Sequence, residues 1–417
     1  MRKQNLLTAL LLIANTIFIL SCQKQVVQES GQKEIVSSPN SGNGNNSKKI
    51  YVTDIAELYT AVNDPANAGN QIILSEGTYT LSSSYPNGGR LELQKDMELR
   101  GQPGHPELTV IDQTALPTAS FNLSTGGRTG GIRMGRGSNV LEWLTIKGNV
   151  NALSAIDTDL PSTETYIKIS HCIVSNSQIG IDIRNRLAQH SNRIIHASIE
   201  NNEVVANNAG FGSGVVFQNA NGVSSAVIIG DMATNYIHGN RVGFRAFNNA
   251  ATSTVNDGSI TVNSNADRIE GNGLAMYVAG GLSQASSALA NGNQTHLEFH
   301  GTIIRNNNPA PMPPELLPLE ASIPPGGIFA VGGISTVADN KASNNQFIVS
   351  FWGCDISGNN GTDINAFGAW SRTPVLLPGI NNNAEIYLYG ISTNANVVAI
   401  PCVPFEPAGT NVVNVVR

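Results

Sequence analysis

The feature that most constrains this chain is a repeat. Between residues 131 and 367 one pattern recurs: an apolar strand, an Asn, a Gly a few residues on, and another short strand. With the Asn as marker the series runs Asn176, Asn207, Asn240, Asn272, Asn307 and Asn359, in steps of 31, 33, 32, 35 and 52 residues. Each marker follows an aliphatic residue by three positions, as in Ile173-Val-Ser-Asn176, Val204-Val-Ala-Asn207 and Ile237-His-Gly-Asn240. Units of this length cannot bury their apolar faces alone and do so only by stacking on their neighbours. The chain therefore reads as an all-β solenoid of short parallel strands, one coil per repeat. Asn tolerates left-handed backbone and hydrogen-bonds to nearby main chain, so asparagines at equivalent turns are expected to satisfy one another along the stack.

The ends read differently. Met1-Arg-Lys precedes an apolar run from Leu6 to Leu20 and then Ser21-Cys22. This resembles a bacterial lipoprotein signal, with cleavage before Cys22 and lipid attachment to it. The run is short for a membrane span and is set aside from the fold. The expectation is a signal over 1–21, a polar tether over 22–49 rich in Ser, Asn, Gly and Lys, and one solenoid domain over 50–417. As a coil the tether reaches on the order of 30 Å. It would hold the chain at the bacterial cell envelope, at an outer membrane or cell surface. Of the 4 cysteines, Cys172, Cys354 and Cys402 are widely spaced with no CxxC pair, so neither a zinc site nor a disulfide framework is implied. A net charge of −6 and 13% charged residues argue against nucleic acid as a partner.

Thr53 or Asp54 is a helix N-cap ahead of Ile55, Leu58, Tyr59 and Val62, and Asp64-Pro65 ends the helix. A short helix here would cover the open apolar end of the solenoid, whose strand edges are otherwise unpaired. Asp54-Ile-Ala-Glu-Leu58, Ile72-Ile-Leu-Ser-Glu-Gly-Thr-Tyr79, Leu91-Glu-Leu93 and Leu99-Arg-Gly101 together resemble the N-terminal cap and first coils of pectate-lyase-like right-handed parallel β-helix proteins. That resemblance covers about residues 50 to 400. It implies the right-handed parallel β-helix fold, and a superfamily of polysaccharide lyases, hydrolases, epimerases and adhesins. The 52-residue step contains Pro309-Ala-Pro-Met-Pro-Pro314 and Ile323-Pro-Pro-Gly-Gly327, so an excursion from the solenoid is expected near 308–327.

Strands beginning at Ile132, Ile156, Ile181, Val215, Phe244 and Leu274 read as equivalents on successive coils. If their first residues point inward, the second and fourth point to solvent. The outward row is then Arg133, Asp157, Asp182, Val216 and Arg245, followed by Asp159, Arg184, Gln218 and Phe247. With coils about 4.8 Å apart and alternate residues about 6.6 Å apart, Asp157, Asp159 and Asp182 meet. Each carboxylate pair repels by about 3 kcal/mol at roughly 5 Å and an effective dielectric of about 20. Two arrangements offset that. One is a calcium ion held by the three aspartates; in the lyases of the resembling superfamily such a site serves a uronate, and Arg184 or Arg245 would take the part of the base, with Arg133 and Gln218 on the substrate. The other is plain ion pairing with Arg133 and Arg184.

The function expected is binding of an acidic, uronate-containing polysaccharide, with cleavage by β-elimination as the catalytic form of that expectation. A non-catalytic surface, binding or structural lipoprotein is the competing class. A polygalacturonase-like hydrolase stands third: Ile156-Asp-Thr-Asp159 faintly resembles its Asn-Thr-Asp, but its Asp-Asp and Gly-His-Gly have no counterpart. His171, His190, His196 and His238 follow no metal spacing. Tyr277, Trp352 and Trp370 are candidates for stacking on sugar rings, whereas Trp143 reads as packing beside the core.

Overall fold

The structure, a computed structural model, describes residues 47–417 apart from 124–126, 161, 211, 285, 309–325, 337–340, 372–378, 392–394 and 404–410. Cys22, the signal and nearly all of the tether fall outside the described residues, as does most of the proline-rich excursion. Among the described residues no helix is long and apolar enough to cross a membrane.

Strands sort by coil position into three long sheets of twelve, nine and ten members, and neighbours within each are parallel. From Gln71 to Ser371 each circuit visits the first sheet, the second and the third in turn, which is a parallel β-helix. A short antiparallel pair, Asn122–Leu123 with Gly127–Arg128, lies outside the three.

The interior is built by register. In the second sheet Ile111, Ile146, Val174, Val204, Ile237, Ile269, Ile304 and Ile356 stack in one column, all of them buried. Each such aliphatic contributes about 1.5–3 kcal/mol relative to exposure. In the third sheet the inward column is Ile132, Ile156, Ile181, Val215, Phe244 and Met276. Leu274 pairs instead with Val242, two residues earlier, so the strand equivalence drawn from the sequence slips by two at that coil. The strand Leu274–Ser283 is ten residues long and its alternation is lost among Leu, Ala, Met and Val, which hid the register.

A helix, Ile55–Asn63, covers the first coils as expected. Asp54 is its N-cap, accepting from the Glu57 amide at 2.9 Å, and the Glu57 carboxylate reaches back to the Thr53 amide at 2.8 Å. Leu58, Tyr59, Ala61 and Val62 are the face it buries. A strand at Lys49–Val52 precedes it and forms the first member of the twelve-stranded sheet.

The turns carry the asparagine ladder the repeat implied. Asn207, Asn240, Asn272, Asn307 and Asn359 lie one above the next, each Nδ2 donating to the following Oδ1 at 3.0–3.1 Å. The preceding coil places Ser177, not Asn176, in this column, because Val174 pairs with Val204 and the count starts one residue later. Further ladders exist. One joins Asn293, Asn345, Asn382 and Asn411; one joins Asn185, Asn219 and Asn248; another joins Asn202 and Asn235 and ends on a carboxylate, Asp267.

Asp267 Oδ1 accepts from the Asn235 amide at 2.7 Å and from its Nδ2 at 2.8 Å, and Ser264 Oγ donates to Oδ2 at 2.6 Å. Burial nevertheless pushes its carboxyl up to about 6, outweighing those bonds. Between about pH 4 and 6 the folded chain therefore holds a proton that the unfolded chain releases. The contribution is full below the unfolded value and is lost as pH rises through 6. Asp267→Asn, isosteric and in keeping with its ladder neighbours, is expected to gain about 1–3 kcal/mol at pH 7 and nothing at pH 3. Denaturation at the two pH values checks this; an equal gain at both would mean the carboxylate charge is not the cause.

Candidate functional site: a buried aspartate–arginine cluster

The strands of the first sheet alternate half-buried and buried, as in Ile194–Glu200. Those of the third sheet do not: all seven residues of Ile179–Asn185 are buried, and all eight of Ser213–Ala220. Its outer face is covered as well as its inner one. The row expected at the surface is therefore internal. Asp157, Asp182 and Arg184 are wholly inaccessible, and Asp159, Arg133, Arg245, Val216 and Gln218 are buried too. This corrects the solvent-facing reading of all eight.

Alternation did bring the right residues together. Arg133 pairs in register with Asp157, Asp157 with Asp182, and Arg184 with Gln218. The three aspartates converge, and what stands among them is the Arg184 guanidinium. Its Nη1 lies 2.8 Å from Asp182 Oδ2, and its Nη2 lies 3.0 Å from Asp157 Oδ2 and 3.2 Å from Asp159 Oδ2. The remaining oxygens are mostly engaged. Asp157 accepts from the Gly130 amide at Oδ2 and from the Asp159 amide at Oδ1, 3.1 Å away. Asp182 Oδ1 accepts from Gln218 Nε2 at 2.9 Å. Arg133 donates to Glu92 Oε1 at 2.7 Å and lies 3.6 Å from Asp157 Oδ1, and Arg90 reaches Glu92 at 3.8 Å.

These contacts decide between calcium and ion pairing. A divalent ion needs several free oxygens, and here the central place belongs to an arginine with its planar fork engaged. The set does not fit calcium, and among the described residues no group of three or more His, Cys, Asp or Glu side chains is arranged to hold a metal. Nor is Arg184 placed to act as a base. Burial alone would lower its pKa, but Asp159, Asp182 and Asp157 outweigh that and raise it above the ordinary arginine range. Arg245, also buried, has its guanidinium 5.4 Å from the centre of the Tyr277 ring.

The aspartates are not equivalent. Burial would raise Asp157, yet Arg184, Arg133 and the two amides hold it below the usual carboxylate range. At Asp182 burial prevails over Arg184 and Gln218 and pushes it up to about 6. His190, unassigned from sequence, packs against the cluster. Its Nδ1 accepts from the Arg186 and Leu187 amides at 3.2 and 3.4 Å, which leaves the proton on Nε2. Burial, then Arg193, pushes it down to about 4, so it is neutral and its 3.8 Å approach to Asp159 is not an ion pair. Arg193, also unforeseen, donates to the Thr158 and Gly135 carbonyls at 2.9 and 3.2 Å. Both lie in the segment after Ile179–Asn185, where no alternation marks a side chain as inward.

Farther along the same outer face the cover is apolar. Phe247, Tyr277, Phe329, Val331, Ile334, Phe367 and Trp370 form a second cluster separate from the main core. Tyr277 and Trp370 thus do not present rings to solvent. Trp352 does, with 43% of its surface exposed. Trp143 is half-buried at a turn and stacks on His171 with centroids 3.8 Å apart, rather than packing beside the core. Cys172 and Cys354 are buried free thiols, Cys172 pushed up to about 12 by burial.

No protein-family model matches the chain, and no curated protein matches it. Among solved structures it is similar to the A-module of mannuronan C-5 epimerase AlgE4 from Azotobacter vinelandii, at 14% identity and a TM-score of 0.34 over 88% of this chain and 96% of that one. The AlgE6 A-module of the same organism gives 14% and 0.33 over 85% and 97%. The catalytic unit of a GH87 alpha-1,3-glucanase from Streptomyces thermodiastaticus strain HF3-3 gives 12% and 0.29 over 87% and 64%.

Proposed function

We propose that this protein binds polysaccharide along the open faces of its first two sheets and does not cleave it. The observation that carries this reading is the set of flat ring stacks exposed or half-buried on those faces. Tyr166 and His196 stack with centroids 4.6 Å apart and planes 7° apart, Tyr236 and His238 at 3.9 Å and 17°, and Trp352 and Tyr389 at 4.0 Å and 24°. Aromatic side chains with an apolar face and a polar edge suit the alternating C–H and hydroxyl surfaces of pyranose rings.

The acidic character of the ligand rests on cations beside two of these stacks. Lys168 follows Tyr166 by two residues on the same strand face and is 43% exposed. Arg268 lies over the Tyr236 ring at 4.6 Å and is 48% exposed, although Glu270 engages part of its fork. A uronate carboxylate would compete for both. Binding without cleavage is favoured because Asp157, Asp159, Asp182 and Arg184 are buried and pair with one another, and Arg245 is buried against Tyr277.

Electrophoresis of the full chain through gels containing oligogalacturonate, alginate or hyaluronan tests this. Retardation by at least one is expected, with weaker retardation at high salt as exposed pairs are screened. Migration unchanged in every gel would remove the reading.

A further inference from the structure

We propose that His300, Trp352 and Tyr389, with Tyr387 beside them, form a second subsite that takes uncharged, hydroxyl-rich sugar rings. It rests on the open faces being carbohydrate-binding but not on the uronate preference. The three residues end the strands Gln294–His300, Gln346–Trp352 and Asn383–Tyr389 and are in register. Before them the column reads Tyr51, Ile73, Arg100, Glu142, Ser170, Glu200, Ala233 and Asn265, so from Ile73 to Asn265 it holds no aromatic ring. His300 and Trp352 have centroids 6.1 Å apart and planes 4° apart, and Tyr387 lies 6.0 Å and 14° from Tyr389. With Trp352 and Tyr389 face to face at 4.0 Å, the platform is a ladder of near-parallel rings.

The turn beside the platform changes at the same place. From Glu142 onward the chain turns through positive φ directly after this column, and on the five coils before His300 the turn residue has a side chain: Trp143, His171, Asn201, Thr234 and Ala266. Beside the three ring residues it is Gly301, Gly353 and Gly390. Around Gly301 and Gly353 there is nothing within 4 Å of where a Cβ would be, and at Gly390 only a backbone nitrogen at 4.0 Å. The rim of the platform is thus bare, and a flat ligand has room to extend past it.

The flanking polar groups select the ligand. Glu298 lies 3.5 Å from His296 and 3.6 Å from His300, and Glu385 accepts from Tyr387 Oη and Asn383 Nδ2, each at 2.6 Å. The three strands contain no Lys or Arg. Carboxylates accept from sugar hydroxyls and repel uronates; Glu164 and Glu203 also flank the other two stacks, so what sets this end of the coil apart is that no Lys or Arg of its strands accompanies them.

The test is isothermal titration calorimetry of the full chain with cello-, manno-, xylo- and malto-oligosaccharides and, in parallel, with oligogalacturonate. At least one neutral series is expected to bind. Trp352→Ala should weaken that affinity at least about tenfold, and Trp352→Phe should retain most of it. Circular dichroism establishes that both variants fold. No response to any neutral series, or equal affinity in Trp352→Ala, overturns the subsite. So does self-association of the wild type that Trp352→Ala abolishes without any sugar response, since the platform would then be a contact between copies. Neutral binding without uronate binding would sink the acidic reading alone.

Discussion

Arg184→Met is expected to destabilise the fold by about 3–5 kcal/mol, the largest effect of any single substitution in the third sheet. Arg184 pairs with Asp157, Asp159 and Asp182 together, all of them at most 3% exposed. Removing it leaves three buried carboxylates with far less compensation, and Arg133 meets only Asp157 among their side chains, at 3.6 Å. Arg184→Lys should recover little, because a point charge cannot reach three carboxylates in the geometry of a planar fork. Chemical denaturation measures both. A midpoint that stays at the wild-type value in Arg184→Met would mean that the cluster does not hold the outer face together.

Asn240→Leu should cost about 3 kcal/mol, with the loss spread over two coils. Asn240 Oδ1 accepts from the Asn207 amide at 3.0 Å and from its Nδ2 at 3.1 Å. Its own Nδ2 donates to the Val204 carbonyl at 2.9 Å, to the His238 carbonyl at 3.0 Å and to Asn272 Oδ1 at 3.1 Å. Leucine fills the volume but leaves the Asn207 amide buried and unmet, while Asn207 Nδ2 keeps the Val205 and Val174 carbonyls at 3.2 and 3.4 Å. The neighbouring Asn208 is exposed and makes one bond, to the Gly239 carbonyl at 2.9 Å. Asn208→Ala should change stability by less than about 0.5 kcal/mol. Comparable losses in the two variants would show that the ladder position is not special.

The repeat made the solenoid legible because interior columns need the same residue class on every coil, and asparagine is the residue that satisfies a buried turn in a stack. Where a column admits several residue types, the pattern fades. The column of Cys172, Asn202, Asn235, Asp267, Thr302 and Cys354 has no common residue, and its ladder went unseen. The site was half legible. Alternation correctly grouped Asp157, Asp159, Asp182 and Arg184, because register is fixed by the interior aliphatics. It could not tell that the other face was covered. A signal for that was present: Val215-Val-Phe and Leu274-Ala-Met-Tyr-Val-Ala are continuous apolar runs, which belong to strands buried on both faces. The bare glycine rim beside Trp352 was invisible for a different reason, since its meaning depends on which column those glycines occupy.

The most direct test of the whole account is release of unsaturated uronate by the full chain from pectic, alginate and glycosaminoglycan substrates, with calcium and with chelator. An arginine-centred, self-satisfied aspartate cluster predicts no product in either condition, from substrates that the chain nevertheless retains. Calcium-dependent product that disappears in Asp182→Asn would contradict it, and would make a lyase site of the cluster.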